Sequence, residues 1–324
     1  MPRRLSDYRF YRCDDFLSLP RDPETWLIKP IVPTAGWVNI YGQPKKARKS
    51  YLAMGTAWAV SSGEPSWLGF GVHQSGPVLY LQVDTPHSMW AQRVEDVQSG
   101  GYNLENVWFA STFTAPYPFN IVEHAEILNE MVAEVPDAIM VIYDTTASMH
   151  LFNENSTQEM TIFMHELARA SGHRAKILVS HSSKWGGGQQ QSEQRDSHKA
   201  EGGDLMKGNR GSSAVSGAMD TVIKVTPKGY MYYQGRAVGE EHKKLKFVHV
   251  HDDGGPPCPY DSSRDCMGWM WEEDVDSVVD EARKLVNTYK QGSERSLARL
   301  LAKSRDIKEE RARAIIRRQR EREL

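Results

Sequence analysis

Apolar and polar positions along the chain fall into two alternating rhythms. Short unbroken apolar runs at residues 37–41, 78–83, 107–110, 138–143 and 176–180 read as buried β-strands. Between them lie segments with helical spacing. Residues 50–62 place Leu52, Ala53, Ala57 and Val60 on one stripe and stop at Gly63 and Pro65. Thr85 and Pro86 read as the N-cap and first position of a helix running to Gln98. A further helix fits residues 122–135. Ser156 and Glu159 form a capping-box pattern ahead of Met160, Phe163, Met164 and Leu167, a helix closed by Gly172. Strands separated by helix-length segments require crossover connections, so the pattern predicts an α/β fold with a mostly parallel sheet.

Two stretches break the rhythm. Residues 185–209, rich in Gly, Gln, Ser and charge, read as a long loop inside a compact domain, and loops of that length are usually functional or disordered. Residues 221–226, 230–234 and 245–250 alternate closely with short turns, as antiparallel edge strands do. Pro256, Pro257 and Pro259 mark a linker, after which the chain turns helical at residues 272–290, 293–303 and 306–321. The expected organisation is a lead-in at 1–23, a core at 24–255, a linker at 256–271 and a basic helical segment at 272–324.

Composition narrows the class. The 324 residues are 40% hydrophobic and 25% charged, which excludes a collagen-like or wholly disordered chain. The apolar runs fall far short of the roughly 20 residues that cross a bilayer. The basic N-terminus has no apolar stretch behind it, so no secretory signal is expected. Cys13, Cys258 and Cys266 are too scattered for a disulfide framework, which favours a reducing, cytoplasmic setting. His249, His251, Cys258 and Cys266 match no zinc spacing. Net charge is −2 overall, but residues 291–324 carry +5 and the remainder −7. A basic tail on an acidic body fits contact with nucleic acid or an acidic partner, and fits equally a solvated charged helix.

The chemistry concentrates where the first strong strand meets the first strong helix. Gly42, Gln43, Pro44, Lys45, Lys46, Ala47, Arg48, Lys49 and Ser50, followed by Tyr51, form a Lys-rich turn in the strand–loop–helix context of a phosphate-binding loop. There backbone N–H groups and the helix dipole hold phosphates, a Lys reaches the β/γ oxygens, and a Ser hydroxyl binds Mg²⁺. The loop is one residue longer than G-x-x-x-x-G-K-[ST], and Arg48 stands where the second Gly should be. Asp144, ending the most apolar strand, is a candidate Mg²⁺ ligand or a turn cap. Asp84, ending another strand, either orients an attacking water or caps the helix after it.

Several segments in order resemble the RepA-like branch of hexameric ATPases with the RecA/DnaB core, found in phages and plasmids. They are Trp26 to Ile31, Ile40 to Ala53, Val78 to Asp84, Val141 to Thr145, Asn153 to Asn155, Ile177 to Lys184, Arg210 to Ser213 with Ala218 to Asp220, and Gly235-Arg236. The likeness covers residues 24–250 and implies a RecA-like P-loop NTPase core that binds ATP and Mg²⁺. It implies a γ-phosphate sensor at His181, which equally fits an ordinary polar residue where the sheet meets solvent, and inter-subunit or intra-subunit roles for Arg210 and Arg236, either of which alone also fits a surface salt bridge. It makes residues 185–209, with Lys184, Arg195, His198, Lys199 and Lys207, a channel-lining contact for single-stranded DNA. In that family the water-activating acid is usually Glu, where this chain has Asp84.

The tail resembles a helix-turn-helix end piece, with Leu297, Leu300 and Leu301 facing Ala312, Ile315 and Ile316. Its Arg311, Arg313, Arg317, Arg318 and Arg320 are candidate DNA contacts. The expected function is DNA-coupled ATP hydrolysis by a homo-oligomeric ring, a helicase or translocase. The alternatives are a recombination mediator with the same core and a nucleotide-binding switch with little hydrolysis.

Overall fold

A computed structural model describes residues 11–18, 25–44, 47–99, 101–111, 119–181, 213–226, 229–258, 261–273, 282, 285–286, 293–305, 309, 312–313 and 315–317. The apolar runs become strands β3 (Trp37–Gly42), β6 (Val78–Gln82), β7 (Val107–Ser111), β8 (Met140–Asp144) and β9 (Ala175–His181). The helical segments become α2 (Lys49–Ser62), α3 (His87–Ser99), α4 (Ala125–Ala133) and α5 (Thr157–Ser171). A five-residue α1 (Cys13–Leu17) precedes them, and α6 (Ser213–Ala218) leads into β10 (Thr221–Val225) and β11 (Tyr230–Gly235).

Among the described residues the main sheet runs β13-β12-β11-β10-β3-β9-β8-β6-β7. Its six strands from β10 to β7 are mutually parallel. The period of two divides each strand between two cores. On one face Val38, Ile40, Tyr80, Ile142 and Val179 pack against α2 and α3. On the other Leu79, Leu81, Val141, Tyr143 and Leu178 meet α4, α5 and α6. This is a doubly covered parallel sheet, the mixed α/β architecture of a RecA-like domain.

Four expectations change. First, β10 pairs antiparallel with β11 as expected, but its other edge pairs parallel to β3, Thr221 to Val38 and Val225 to Gly42, so β10 also belongs to the parallel part of the sheet. Close spacing of strands misses this, because β10 is reached by the long connection after β9.

Second, the described residues of the expected linker are strand: β12 (Val238–Cys258) pairs antiparallel with β13 (Asp261–Glu273), while Pro259 lies outside the described residues. Pro256 and Pro257 lie at irregularities of that pairing, where a missing N–H is tolerated. Third, α4 is shorter than expected, because residues 121–124 form turns and His124 is its N-cap. Fourth, a small sheet of β2 (Val32–Pro33), β1 (Trp26–Lys29), β5 (Phe70–Val72) and β4 (Ser66–Trp67) covers the outer side of α2. Its Leu27, Ile28, Trp67 and Phe70 share one core with Leu52, Met54 and Val60.

Local signals mostly hold. Gly63 closes α2 in the left-handed conformation, φ 71°. Ser156 accepts from the Glu159 N–H, but the Glu159 carboxylate reaches past it to the Asn153 N–H at 2.7 Å. The capping box is therefore half formed. Thr85 does not cap α3; its hydroxyl donates to Asp84. In the tail, α7 (Glu294–Arg305) contributes Leu297, Ala298 and Leu301 to a small separate core with Ala282, Val286, Ala312 and Ile316, while Leu300 stays exposed.

Ile142 is fully buried at the centre of β8. Ile142→Ala should cost about 2–5 kcal/mol by removing packed methyl groups and leaving a cavity. Urea unfolding checks this: the midpoint should fall with the slope unchanged.

Candidate active site

The candidate residues gather at the C-terminal ends of the parallel strands, where register places Gly42 on β3 level with His181 on β9 and with Val225 on β10. Gly42 has no room for a side chain, since a Cβ would lie 2.4 Å from the Val225 carbonyl oxygen and 2.8 Å from Ala47. Glycine is required here by close approach of backbone.

Arg48 takes the left-handed conformation, φ 51° and ψ 38°, as N-cap of α2. The loop thus keeps the backbone shape that a glycine would adopt freely, at a cost of about 1–2 kcal/mol for a residue with a Cβ. The N-cap Arg48 makes no side-chain cap bond at the start of α2, the end of a helix where the dipole favours an anion.

Lys49 opens α2 and is buried. Its ammonium donates to the carbonyls of Gly42 at 3.1 Å and Gln43 at 3.4 Å. It lies 3.2 Å from His181 Nδ1, and because an ammonium has only donors, Nδ1 accepts. Burial lowers the Lys49 pKa, opposed by the negative charges of Asp144 and Asp84.

Asp144 is 1% exposed. Its Oδ2 accepts from the Tyr80 hydroxyl at 2.7 Å, while its Oδ1 is buried without a hydrogen-bond partner. Desolvation pushes its pKa up to about 6; the Ser50 hydroxyl close by (not hydrogen-bonded to Oδ1), the Tyr80 hydrogen bond and the charge of Arg93 oppose the rise, and Asp84 adds to it. A buried carboxylate oxygen left without a donor, beside a serine hydroxyl, is the donor set a hard divalent cation takes. Ser50 and Asp144 fit Mg²⁺.

Asp84 is exposed at the rim. Its carboxylate accepts from Thr85 at 2.9 Å, Gln82 at 3.4 Å and Thr145 at 3.3 Å. Side chains rather than helix N–H groups hold it, which disfavours the capping role. Gln82, fully buried, is itself fixed by Ser111.

The structure brings Gly42, Gln43, Ala47, Arg48, Lys49, Ser50, Asp84, Asp144 and His181 to one place. Pro44 is exposed on the loop, and the Tyr51 hydroxyl turns away to Asp96 on α3, at 3.3 Å. Lys45, Lys46, Arg210 and residues 185–209 lie outside the described residues.

Arg236 is not at the crevice. Gly235 pairs with Thr221 at the opposite end of the sheet, and Arg236 there meets Asp220 at 3.4 Å and the Gly217 carbonyl at 3.3 Å. An intra-subunit role at this chain's own phosphate site is therefore excluded. In the tail, Arg313 and Arg317 pair with Glu294 at 2.9 and 3.2 Å, and their hydrogen bonds lower its pKa.

Sequence reasoning missed Tyr80 and Thr145. Tyr80 carried a usable signal: a phenol inside an otherwise aliphatic strand needs a partner for its hydroxyl.

A phosphate loop on a parallel α/β sheet, with a buried acid one strand beyond its neighbour, defines a P-loop nucleotide-binding domain. The chain belongs to the AAA domain family, whose model matches residues 2–187. The family is one of ATPases, with ATP and typically Mg²⁺ as ligands. No curated protein matches the chain significantly.

Asp144 also carries a stability consequence. Its folded pKa lies above the unfolded value, so its contribution is most favourable at low pH and is lost as pH rises through about 6. In cation-free buffer at pH 8, Asp144→Asn should raise stability, by up to about 3 kcal/mol at 1.36 kcal/mol per unit. Thermal melts at pH 5 and 8 test the sign: the gain at pH 5 should be about half of that at pH 8.

Proposed function

We propose that the protein is a Mg²⁺-dependent ATPase of the RepA-like branch, coupling ATP hydrolysis to single-stranded DNA as a ring-forming replicative helicase or translocase. The observation that supports this best is the unpartnered Asp144 Oδ1, buried beside the Ser50 hydroxyl at the loop that carries Lys49.

Lys49 exchanges its carbonyl and imidazole acceptors for the β/γ phosphate oxygens, gaining charge-assisted bonds in place of neutral ones. Mg²⁺, held by Ser50 and Asp144, would neutralise charge on those phosphates. Asp84, fixed by Gln82, Thr85 and Thr145, accepts a hydrogen bond from the attacking water and orients it in line. His181 loses its lysine contact when phosphate arrives, which makes it a reporter of the γ-phosphate. Arg236, exposed at the far end of the sheet, acts across a subunit boundary, and Arg210 is the second candidate for that role. Single-stranded DNA is gripped by residues 185–209, whose cations suit a phosphate backbone without sequence preference. The tail adds a weaker contact, since Arg313 and Arg317 share Glu294.

A switch that binds ATP and turns it over slowly is the second reading. Asp84, one methylene shorter than Glu and already engaged by three side chains, favours it. A recombination mediator is the third. It would show DNA-stimulated hydrolysis without strand displacement.

Phosphate release is the test, run with and without single-stranded DNA. Lys49→Ala should reduce turnover by about 10²-fold or more, as loss of transition-state charge stabilisation does. Asp84→Asn should reduce kcat by about 10²-fold with nucleotide affinity retained. Unchanged turnover in Lys49→Ala overturns the ATPase assignment. A DNA effect with unwinding of a forked duplex supports the helicase, and slow, DNA-insensitive release supports the switch.

A further inference from the structure

We propose that Tyr80 is a positioning residue for the divalent cation, its hydroxyl fixing Asp144 so that the second carboxylate oxygen is presented to the metal. The inference rests on the reading of Asp144 and Ser50 as the Mg²⁺ ligands and adds a residue to that site.

Tyr80 lies on β6, level with Ile142 on β8, and Asp144 is two residues further along β8. Side chains two apart on one strand share a face, so Tyr80 reaches Asp144 diagonally across the sheet. The bond is short, 2.7 Å from hydroxyl to Oδ2. The same hydroxyl lies 3.4 Å from the Ser50 carbonyl oxygen, which ties β6, β8 and the first turn of α2 at one atom. The ring is held by packing: its centroid is 5.1 Å from that of Trp90 and 5.6 Å from that of Phe109, and the side chain is fully buried. Tyr80 therefore has little rotameric freedom.

A carboxylate offers two oxygens, and an unfixed one rotates about its terminal torsion. Here Tyr80 takes Oδ2 and Oδ1 has no hydrogen-bond partner. Residues that orient a metal ligand commonly contribute 10- to 100-fold in metal affinity.

Tyr143 supplies the control. It is equally buried, sits on β8 next to Asp144, and bonds Ser171 on the opposite face of the sheet. Tyr143→Phe deletes a comparable hydroxyl away from the cation.

The experiment follows a fluorescent ATP analogue bound to the full chain, first in EDTA and then through a Mg²⁺ titration, beside thermal melts. Tyr80→Phe should bind the analogue in EDTA as the parent does, but require about 10- to 100-fold more Mg²⁺ for the cation-dependent gain. Tyr143→Phe should match the parent at both steps. An unchanged Mg²⁺ requirement in Tyr80→Phe overturns the proposal and leaves the site intact. An equal shift in both variants also overturns it, because general loosening then explains the effect. A parent protein with no Mg²⁺-dependent gain overturns the underlying reading of Asp144 instead.

Discussion

Removing the Asp144 carboxylate from water is the constraint around which the crevice is arranged. A buried acid is costly as an anion unless donors or cations surround it, and its pKa near 6 records that cost. Each neighbour addresses part of it. Tyr80 donates to one oxygen, Ser50 stands beside the carboxylate, and the positive charges of Lys49 and Arg93 act from either side. Fold and chemistry meet here, because these residues come from β6, β8 and the helices α2 and α3, and only the parallel sheet with its crossovers assembles them.

The α/β alternation was legible because β3, β6, β8 and β9 are buried on both faces and α5 on one. Runs such as 138–143 and the Met160–Leu167 stripe therefore carry their environment in their spacing. The phosphate loop was legible despite an imperfect motif. Its missing glycine is explained by Arg48, which holds the left-handed conformation that a glycine usually supplies.

What stayed hidden depended on partners distant in the chain. The parallel placement of β10 follows from the Gly42–Val225 contact, which no local pattern encodes. The small sheet over α2 is built from two-to-four-residue strands, too short to show a period. Pro256 and Pro257 read as a break, yet they lie in a strand paired with its neighbour. Arg236 was placed by family likeness, and the antiparallel return of β11 sends it to the other end of the sheet. The Tyr80–Asp144 bond spans 64 positions, and sequence spacing is silent at that range.

The sandwiching of α2 has a kinetic implication. Ten of its fourteen residues are buried, since the main sheet covers one side and the small sheet the other. A helix held this way behaves as a fixed post: tilting or sliding it would unpack it from both sheets at once. Motion of its first turn, which carries Lys49 and Ser50, is therefore slow beside that of a helix packed on one side only.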